Sequence, residues 1–329
     1  MFYDINKTLT YNALFNFIVS QRGLGKTFGF KEWSIRDFIR SGNQFMYVRR
    51  YKDELLDSDK FFANVAYKFP DHDFSVDGHE FIIDHKVAGY ALALSTSIIK
   101  KSTSYPDVNK IGFDEFIIDK SNYHYLADEV VKFLELYETV ARLRDDVRVF
   151  FLSNAITQVN PYFMHFNIRL PRKGSTIWRK GDLLLEMPVD EDFSAAKKAT
   201  RFGKLIAGSA YAAYAIDNQF LRDTDTFLEH KSEKSQYSFT FIYKSDKFGV
   251  WMDWSVGKYF VSRNVDPSCR MVYAMTLEDH SPNTMLLSRA QRAILIKPFI
   301  DNYRLGNVYC EDIKIKGVVY EVIKMILPS

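Results

Sequence analysis

The chain has 329 residues, too long for one small core, which sets two domains as the expectation. Hydrophobic residues at 47% and charged residues at 26% fit a soluble globular protein, and no apolar run reaches the roughly 18 residues needed to span a bilayer. A formal charge of only +3 excludes a uniformly basic surface, so any nucleic-acid binding must rest on local patches. The start, "MFYDINKTLTYN", lacks the basic and apolar segments of a signal peptide. Cys269 and Cys310 share no short spacing and are expected as buried, reduced thiols of a cytosolic protein.

In chain order, "ALFNFIVS" is an apolar run of the kind that forms a strand buried on both faces. "SQRGLGKT" follows, and then "KTFGFKEWSIRDFIRSG", where Phe30, Trp33, Ile35 and Phe38 recur near helical spacing and Gly42 supplies a stop. "QFMYVRR" predicts a second strand, "DELLDSDKFFANVAYKF" a helix ended by Pro70, and "FSVDGHEFIID" a hairpin turning at Asp77-Gly78. "KIGFDEFII" predicts another strand, "NYHYLADEVVKFLELYETVARLRDD" a long amphipathic helix, and "VRVFFLSNA" a further buried strand. Strands alternating with helices imply a three-layer α/β domain with a mainly parallel sheet. From about residue 191 the chain turns Ala-rich and helical, and "YSFTFIYKSDKFGVWMDWSVGKYFVS" then predicts successive strands with Gly-bearing turns. The expected domains are therefore 1–190, a helical linker at 191–226, and a smaller α+β domain at 227–329.

"SQRGLGKT" matches a phosphate-binding loop except that Ser20 stands at the usual first glycine, where smallness is the expected requirement. Such a loop needs small residues so that backbone N–H groups can wrap phosphates, a Lys to reach them, and a hydroxyl for Mg²⁺. Gly23, Gly25, Lys26 and Thr27 supply these in order, and the helix that follows turns its N-terminus toward the anion. The candidate nucleotide ligands are thus Gln21, Arg22, Gly23, Leu24, Gly25, Lys26 and Thr27. A plain strand–helix turn is the alternative, disfavoured by the flanking strand and helix.

A nucleotide site also needs an acid at the end of a neighbouring strand. In "IGFDEFII", Asp114 is the candidate Mg²⁺ residue with Thr27, and Glu115 the candidate general base. Ser153 and Asn154 end another strand; Asn154 either contacts the γ-phosphate or the attacking water, or satisfies a turn. Arg142, Arg144 and Arg148 cluster after the long helix. One is either an arginine finger for a neighbouring subunit's ATP or a partner for Asp145 and Asp146 on a solvated face. Arg49, Arg50 and Lys52 either close over phosphates or are surface charges.

The combination "RGLGKT", "QFMYVRRYKDEL", "FPDH", "FDEFI", "LSNAITQVNPYF", "TRFGKLIAGSAY" and "DNQF" resembles the DNA-packaging ATPases of φ29-like tailed phages, densely through residue 226 and more loosely beyond. The resemblance implies a P-loop NTPase of the additional-catalytic-glutamate type that uses ATP and Mg²⁺. It implies a homopentameric ring on the portal of an empty procapsid, driving double-stranded DNA through it in the host cytoplasm and absent from the mature virion. By matching positions, Lys26 and Thr27 act on the phosphates and Mg²⁺, Asp114 and Glu115 are the acid and catalytic glutamate, and Arg142 is the trans-acting finger. Lys101 also faces the neighbouring subunit, and Arg49 and Lys52 lie in a lid segment. The C-terminal domain would be a vestigial nuclease of the ribonuclease-H kind, binding nucleic acid or the assembly, with a packaging RNA a partner in some relatives. A two-metal nuclease needs converging carboxylates, whereas Asp253, Glu278, Asp279, Asp301 and Glu311 are scattered in sequence. The other readings are a terminase-like protein with an active nuclease, a ring helicase or translocase unconnected with capsids, and an assembly factor with an inactive loop.

Three features stand outside this pattern. Arg169, Arg172, Lys173, Arg179 and Lys180 form a basic cluster that either meets DNA phosphates or is a solvated loop. Lys197, Lys198, Arg201 and Lys204 at helical spacing are expected as a solvated helix face. His72, His79 and His85 are expected on a polar hairpin rather than at a metal.

Overall fold

The computed structural model describes residues 3–56, 60–100, 104–118, 124–172, 174–218, 220, 226–287 and 294–326. The chain divides into two compact units, Met1–Arg222 and Asp223–Ser329. No helix among the described residues is long and apolar enough to cross a membrane.

The first unit runs α1 (Ile5–Leu9), β1 (Phe15–Ser20), α2 (Lys26–Ser41), β2 (Gln44–Arg49), β3 (Phe74–Asp77), β4 (Glu80–Ile83), β5 (Lys86–Ala93), β6 (Val108–Asp114), α3 (Glu129–Ala141), β7 (Arg148–Asn154), α4 (Pro161–His165), β8 (Ile177–Lys180), β9 (Leu183–Glu186), α5 (Glu191–Ala199), α6 (Arg201–Leu205) and α7 (Ala210–Ala215). The strands form one sheet in the order β3-β4-β5-β2-β6-β7-β1-β9-β8. Its middle, from β5 to β9, is parallel. Antiparallel hairpins close both edges.

All six residues of β1 are buried, and alternation sends them to two cores. Phe17 stacks on Phe151 of β7 at 4.3 Å, within a cluster that takes Phe133 from α3 and Tyr162 from α4. Ile18 joins Phe150 and Leu152 against Phe30, with Trp33 packed alongside, both from α2. Helices therefore cover both faces, which gives the three layers. Gly112 of β6 admits α2 closely: a Cβ there would lie 2.4 Å from the Phe30 ring. Gly42, at φ +76, ends α2 by returning its N–H to the Phe38 carbonyl.

Several local expectations are corrected. Among the described residues of 53–69 there is no long helix; 3₁₀ turns stand at Lys52–Leu55 and Ala66–Lys68. Asp, Ser and Asn weaken helix formation there, and Phe61 is drawn instead into a stack on Phe81 (4.1 Å) and Phe45 (5.5 Å). Helix α3 begins only at Glu129. β5, buried between β2 and β4, has too mixed a pattern to stand out in the sequence. The Ala-rich stretch is three short helices, broken where Thr200 caps α6 by accepting from Gly203 N–H and Ser209 caps α7 by accepting from Ala212 N–H. Arg179 and Lys180 lie on the exposed edge strand β8. His72 pairs with Asp84 at 2.6 Å.

The second unit contains β10 (Gln236–Tyr243), β11 (Asp246–Asp253), β12 (Lys258–Ser262), β13 (Val272–Ala274), β14 (Met285–Leu286), α8 (Ile296–Arg304), β15 (Val308–Cys310) and α9 (Ile313–Ile326). Its sheet order is β14-β13-β10-β11-β12-β15. β10, β11 and β12 form an antiparallel meander, β13 and β14 add in parallel beside β10, and β15 adds in parallel beside β12. Phe299 of α8 packs edge-on against Phe239 and Tyr259. Both cysteines are free thiols; Cys310 is buried, which pushes its thiol up to about 12, and Cys269 is half-buried.

Candidate functional site

β1 ends at Ser20 and α2 begins at Lys26, so residues 21–25 must reverse the chain within five positions. Gly23 and Gly25 do this at φ +91 and +87, a conformation open chiefly to glycine. β7 lies between β1 and β6, and the carboxyl ends of all three strands border one cleft. Arg22, Gly23, Gly25, Lys26 and Thr27 line it from the loop, Asp114 and Glu115 from β6, and Ser153 and Asn154 from β7.

Lys26 is buried in the wall of this cleft. Its Nζ donates to Ser20 Oγ at 2.9 Å and Asn154 Oδ1 at 3.2 Å, with the Ser20 and Gln21 carbonyls at 3.4 Å. Burial outweighs the attraction of Asp114 and brings the ammonium down to about 8. Ser20 therefore contributes a hydroxyl to the lysine, not smallness alone.

Thr27 Oγ1 donates to Asp114, 3.0 Å from both carboxylate oxygens. Tyr47 OH donates to Asp114 Oδ2 at 2.8 Å. Burial, reinforced by the Asp114 charge, pushes the Tyr47 phenol up and keeps it a donor. Arg49, on the same face of β2 as Tyr47, bridges Glu54 and Glu115 at 2.8 Å each and approaches Asp114 at 3.6 Å. Its charge rests on acids, so it is not a free surface charge. The Thr27 hydroxyl and Asp114 carboxylate present hard oxygen donors side by side, a set that suits Mg²⁺ with water completing its shell.

The loop is also held from behind. Tyr3 N–H donates to Leu24 O at 2.9 Å. Gln21 Nε2 donates to Ser194 Oγ at 3.0 Å, and Lys197 Nζ to Arg22 O at 2.6 Å and Ala215 O at 2.9 Å. The Phe193 ring lies 3.5 Å from where a Cβ on Gly23 would stand. Lys197 is thus a brace between the loop and α7, not part of a solvated face; Lys198 makes an exposed pair with Asp217.

The structure brings together Arg22, Gly23, Gly25, Lys26, Thr27, Asp114, Glu115 and Asn154, with Arg49 on the acids. Gln21 and Leu24 are buried behind the loop. Lys52 is exposed on its 3₁₀ turn and does not line the cleft. Lys101 lies outside the described residues. Arg142 is exposed at the end of α3 and, among the described residues, makes no ion pair with Asp145 or Asp146. Arg144 is committed to the carbonyls of Tyr105, Pro106, Val108 and Val140, and Arg148 to Asp145 O and Asn12. Sequence reasoning missed Tyr47, although its spacing of two from Arg49 on a strand is a legible signal. It had no signal for Lys197 or for the burial of Arg50, whose partner Glu129 lies 79 residues away.

In the second unit, Asp253, Asp279, Glu311 and the exposed Asp301 each have a separate partner. Asp253 accepts from Ser232 and Ser255, and these bonds hold it below its usual range. Asp279 accepts from the Lys244 and Ser245 N–H groups and from Thr276. Glu311 accepts from Arg263 N–H, and Asp301 pairs with Arg304.

A mainly parallel sheet with a cationic glycine loop and an acid pair at its carboxyl edge defines a mixed α/β fold of the kind found in phage packaging ATPases. Residues 1–327 match the family model described as Podovirus DNA encapsidation protein (Gp16), and the chain belongs to that family. It is 39% identical over 324 residues to the DNA packaging protein of Bacillus phage phi29, covering 98% of this chain and 97% of the relative. The DNA packaging protein of Bacillus phage B103 is 36% identical over 316 residues, 96% of this chain and 98% of the relative. Among solved structures, a chain of the bacteriophage Phi-29 viral genome packaging motor assembly superposes with TM-score 0.82 at 38% identity, covering 99% of each chain. The N-terminal domain of the phi29 DNA packaging ATPase gives 0.55 at 45% identity, covering 58% of this chain and 98% of that one.

Proposed function

We propose that this chain hydrolyses ATP to drive double-stranded genome DNA into a preformed procapsid, as one of several copies in a ring on the portal. One observation carries the chemistry: Lys26 and Thr27 on one side of the cleft face Asp114 and Glu115 on the other. Together with β7 inserted between β1 and β6, this supports a P-loop NTPase of the additional-catalytic-glutamate type. In this reading the loop and Lys26 bind the phosphates. Thr27 and Asp114 would hold Mg²⁺, which supplies charge neutralisation at the β- and γ-oxygens. Glu115, exposed at the cleft edge, orients and deprotonates water, and Asn154 fixes Lys26.

Arg142 is the proposed trans-acting finger. Its neighbours Arg144 and Arg148 are occupied within the chain, whereas the Arg142 guanidinium faces solvent with no described partner. Lys52, Lys101 and a released Arg49 would join the same shared site. The proposed domains are an ATPase domain at 1–190, a linker region at 191–226 and a C-terminal domain at 227–329. The order of strands β12-β11-β10-β13-β14 supports a ribonuclease-H-like fold for the last. Local hydrogen bonding of Asp253, Asp279 and Glu311 supports a domain that binds nucleic acid or the assembly without cutting DNA.

The test is packaging of DNA into purified procapsids with ATP, with and without added RNA. Nuclease-protected DNA that requires ATP, procapsid and this protein is the expected result. ATP turnover stimulated by DNA alone, with no procapsid requirement, would favour a free translocase.

A further inference from the structure

Glu115 sits at φ +56, in the left-handed region that disfavours a side-chain-bearing residue. Some part of the fold must hold it there. The Arg50 guanidinium does: it donates to Glu115 O at 3.2 Å and Phe116 O at 2.8 Å. The other edge of that guanidinium is gripped by Glu129, with Nε to Oε2 at 2.8 Å and NH2 to Oε1 at 2.9 Å. Glu129 in turn accepts from Tyr162 OH at 3.1 Å and from Leu126 N–H at 2.8 Å. The side chains of Arg50 and Glu129 are 3% and 0% exposed. Neither lines the cleft.

A buried ion pair is a poor means of gaining stability, because desolvation offsets its attraction and apolar residues of similar volume serve as well. Its donors end on the two carbonyls that define the turn after β6. Glu129 is also the first residue of α3, and Arg142 caps the same helix at its other end. The geometry points to Arg50 and Glu129 as positioning residues that hold the Glu115 turn in its left-handed form and anchor it to the helix carrying Arg142. Resting on the reading of Glu115 as the water-activating base, this makes α3 a rigid link between a subunit's own base and the arginine it offers to a neighbour. A neighbour's pull on Arg142 then reaches Glu115 through one helix and one ion pair.

The experiment measures nucleotide affinity and kcat in assembled motors for Arg50→Lys, Glu129→Gln and the apolar pair Arg50→Met/Glu129→Leu, each alone and with Glu115→Gln. Nucleotide affinity should stay at the wild-type level. kcat should fall about tenfold to a hundredfold, the usual penalty for a misplaced catalytic group. Arg50→Lys, which keeps the charge but not the planar fork, should lose least. The apolar pair should keep wild-type stability while remaining slow, which separates positioning from folding. In the Glu115→Gln background the same changes should have no further effect. Wild-type kcat in the apolar pair, or full additivity with Glu115→Gln, would overturn the inference. Unimpaired hydrolysis by Glu115→Gln alone would instead remove the catalytic reading of Glu115.

Discussion

Replacing Lys26 by methionine should make the empty protein more stable while removing its nucleotide binding. Lys26 is 7% exposed, and its proton affinity falls from 10.5 to about 8 on burial. That difference corresponds to about 3 kcal/mol of strain on the charged form. Methionine fills a similar volume without the charge. Two acceptors, Ser20 Oγ and Asn154 Oδ1, lose their donor at about 1 kcal/mol together once the hydroxyl rotates and Asn154 meets solvent. The net gain for Lys26→Met is about 2 kcal/mol near pH 7. The sign follows from a folded-state value below the unfolded one: the penalty is fully present below about 8 and disappears as pH rises toward 10.5. Urea unfolding of both proteins at pH 7 and pH 10, without nucleotide, gives the comparison. A Lys26→Met protein less stable than wild type at pH 7, or a difference that does not shrink at pH 10, would refute the burial argument.

The same titration acts on ligand binding: between pH 7 and 9 the charged fraction of Lys26 falls from about nine tenths to about one tenth, so calorimetric ATP affinity should drop about tenfold. Ser20→Gly, expected from sequence to be neutral, removes the 2.9 Å bond to Lys26 and should lower kcat/KM about fivefold, for about 1 kcal/mol. Gly112→Ala should destabilise the protein by about 1–3 kcal/mol in thermal or urea unfolding, since its Cβ meets the fully buried Phe30 ring at 2.4 Å. In mixed rings, Arg142→Ala subunits should depress the ATP turnover of their wild-type neighbours; normal hydrolysis by rings of Arg142→Ala alone would exclude a trans role.

The sequence alone determined the elements that end in chemistry. Phe15–Ser20, the two glycines before Lys26 and the apolar run into Asp114 are patterns legible in short stretches of chain, although their partners are distant strands. It also shows the C-terminal acids Asp253, Glu278, Asp279, Asp301 and Glu311 scattered along the chain. Where aromatic residues compete with propensity it misled: residues 53–69 are expected as one helix, yet Phe61 is held in the stack with Phe45 and Phe81. The tertiary structure decided which charges act and how. Arg49, Arg50 and Lys52 are consecutive in kind and nearly so in number. Pleat and burial nevertheless send one to the acids of the cleft, one into an ion pair 79 residues distant and one to solvent. Ser20 and Lys197 likewise gained their roles from partners brought in by other elements. A charged side chain's partner is chosen by where strands and helices converge, and that convergence is a property of the packed sheet rather than of any short stretch of chain.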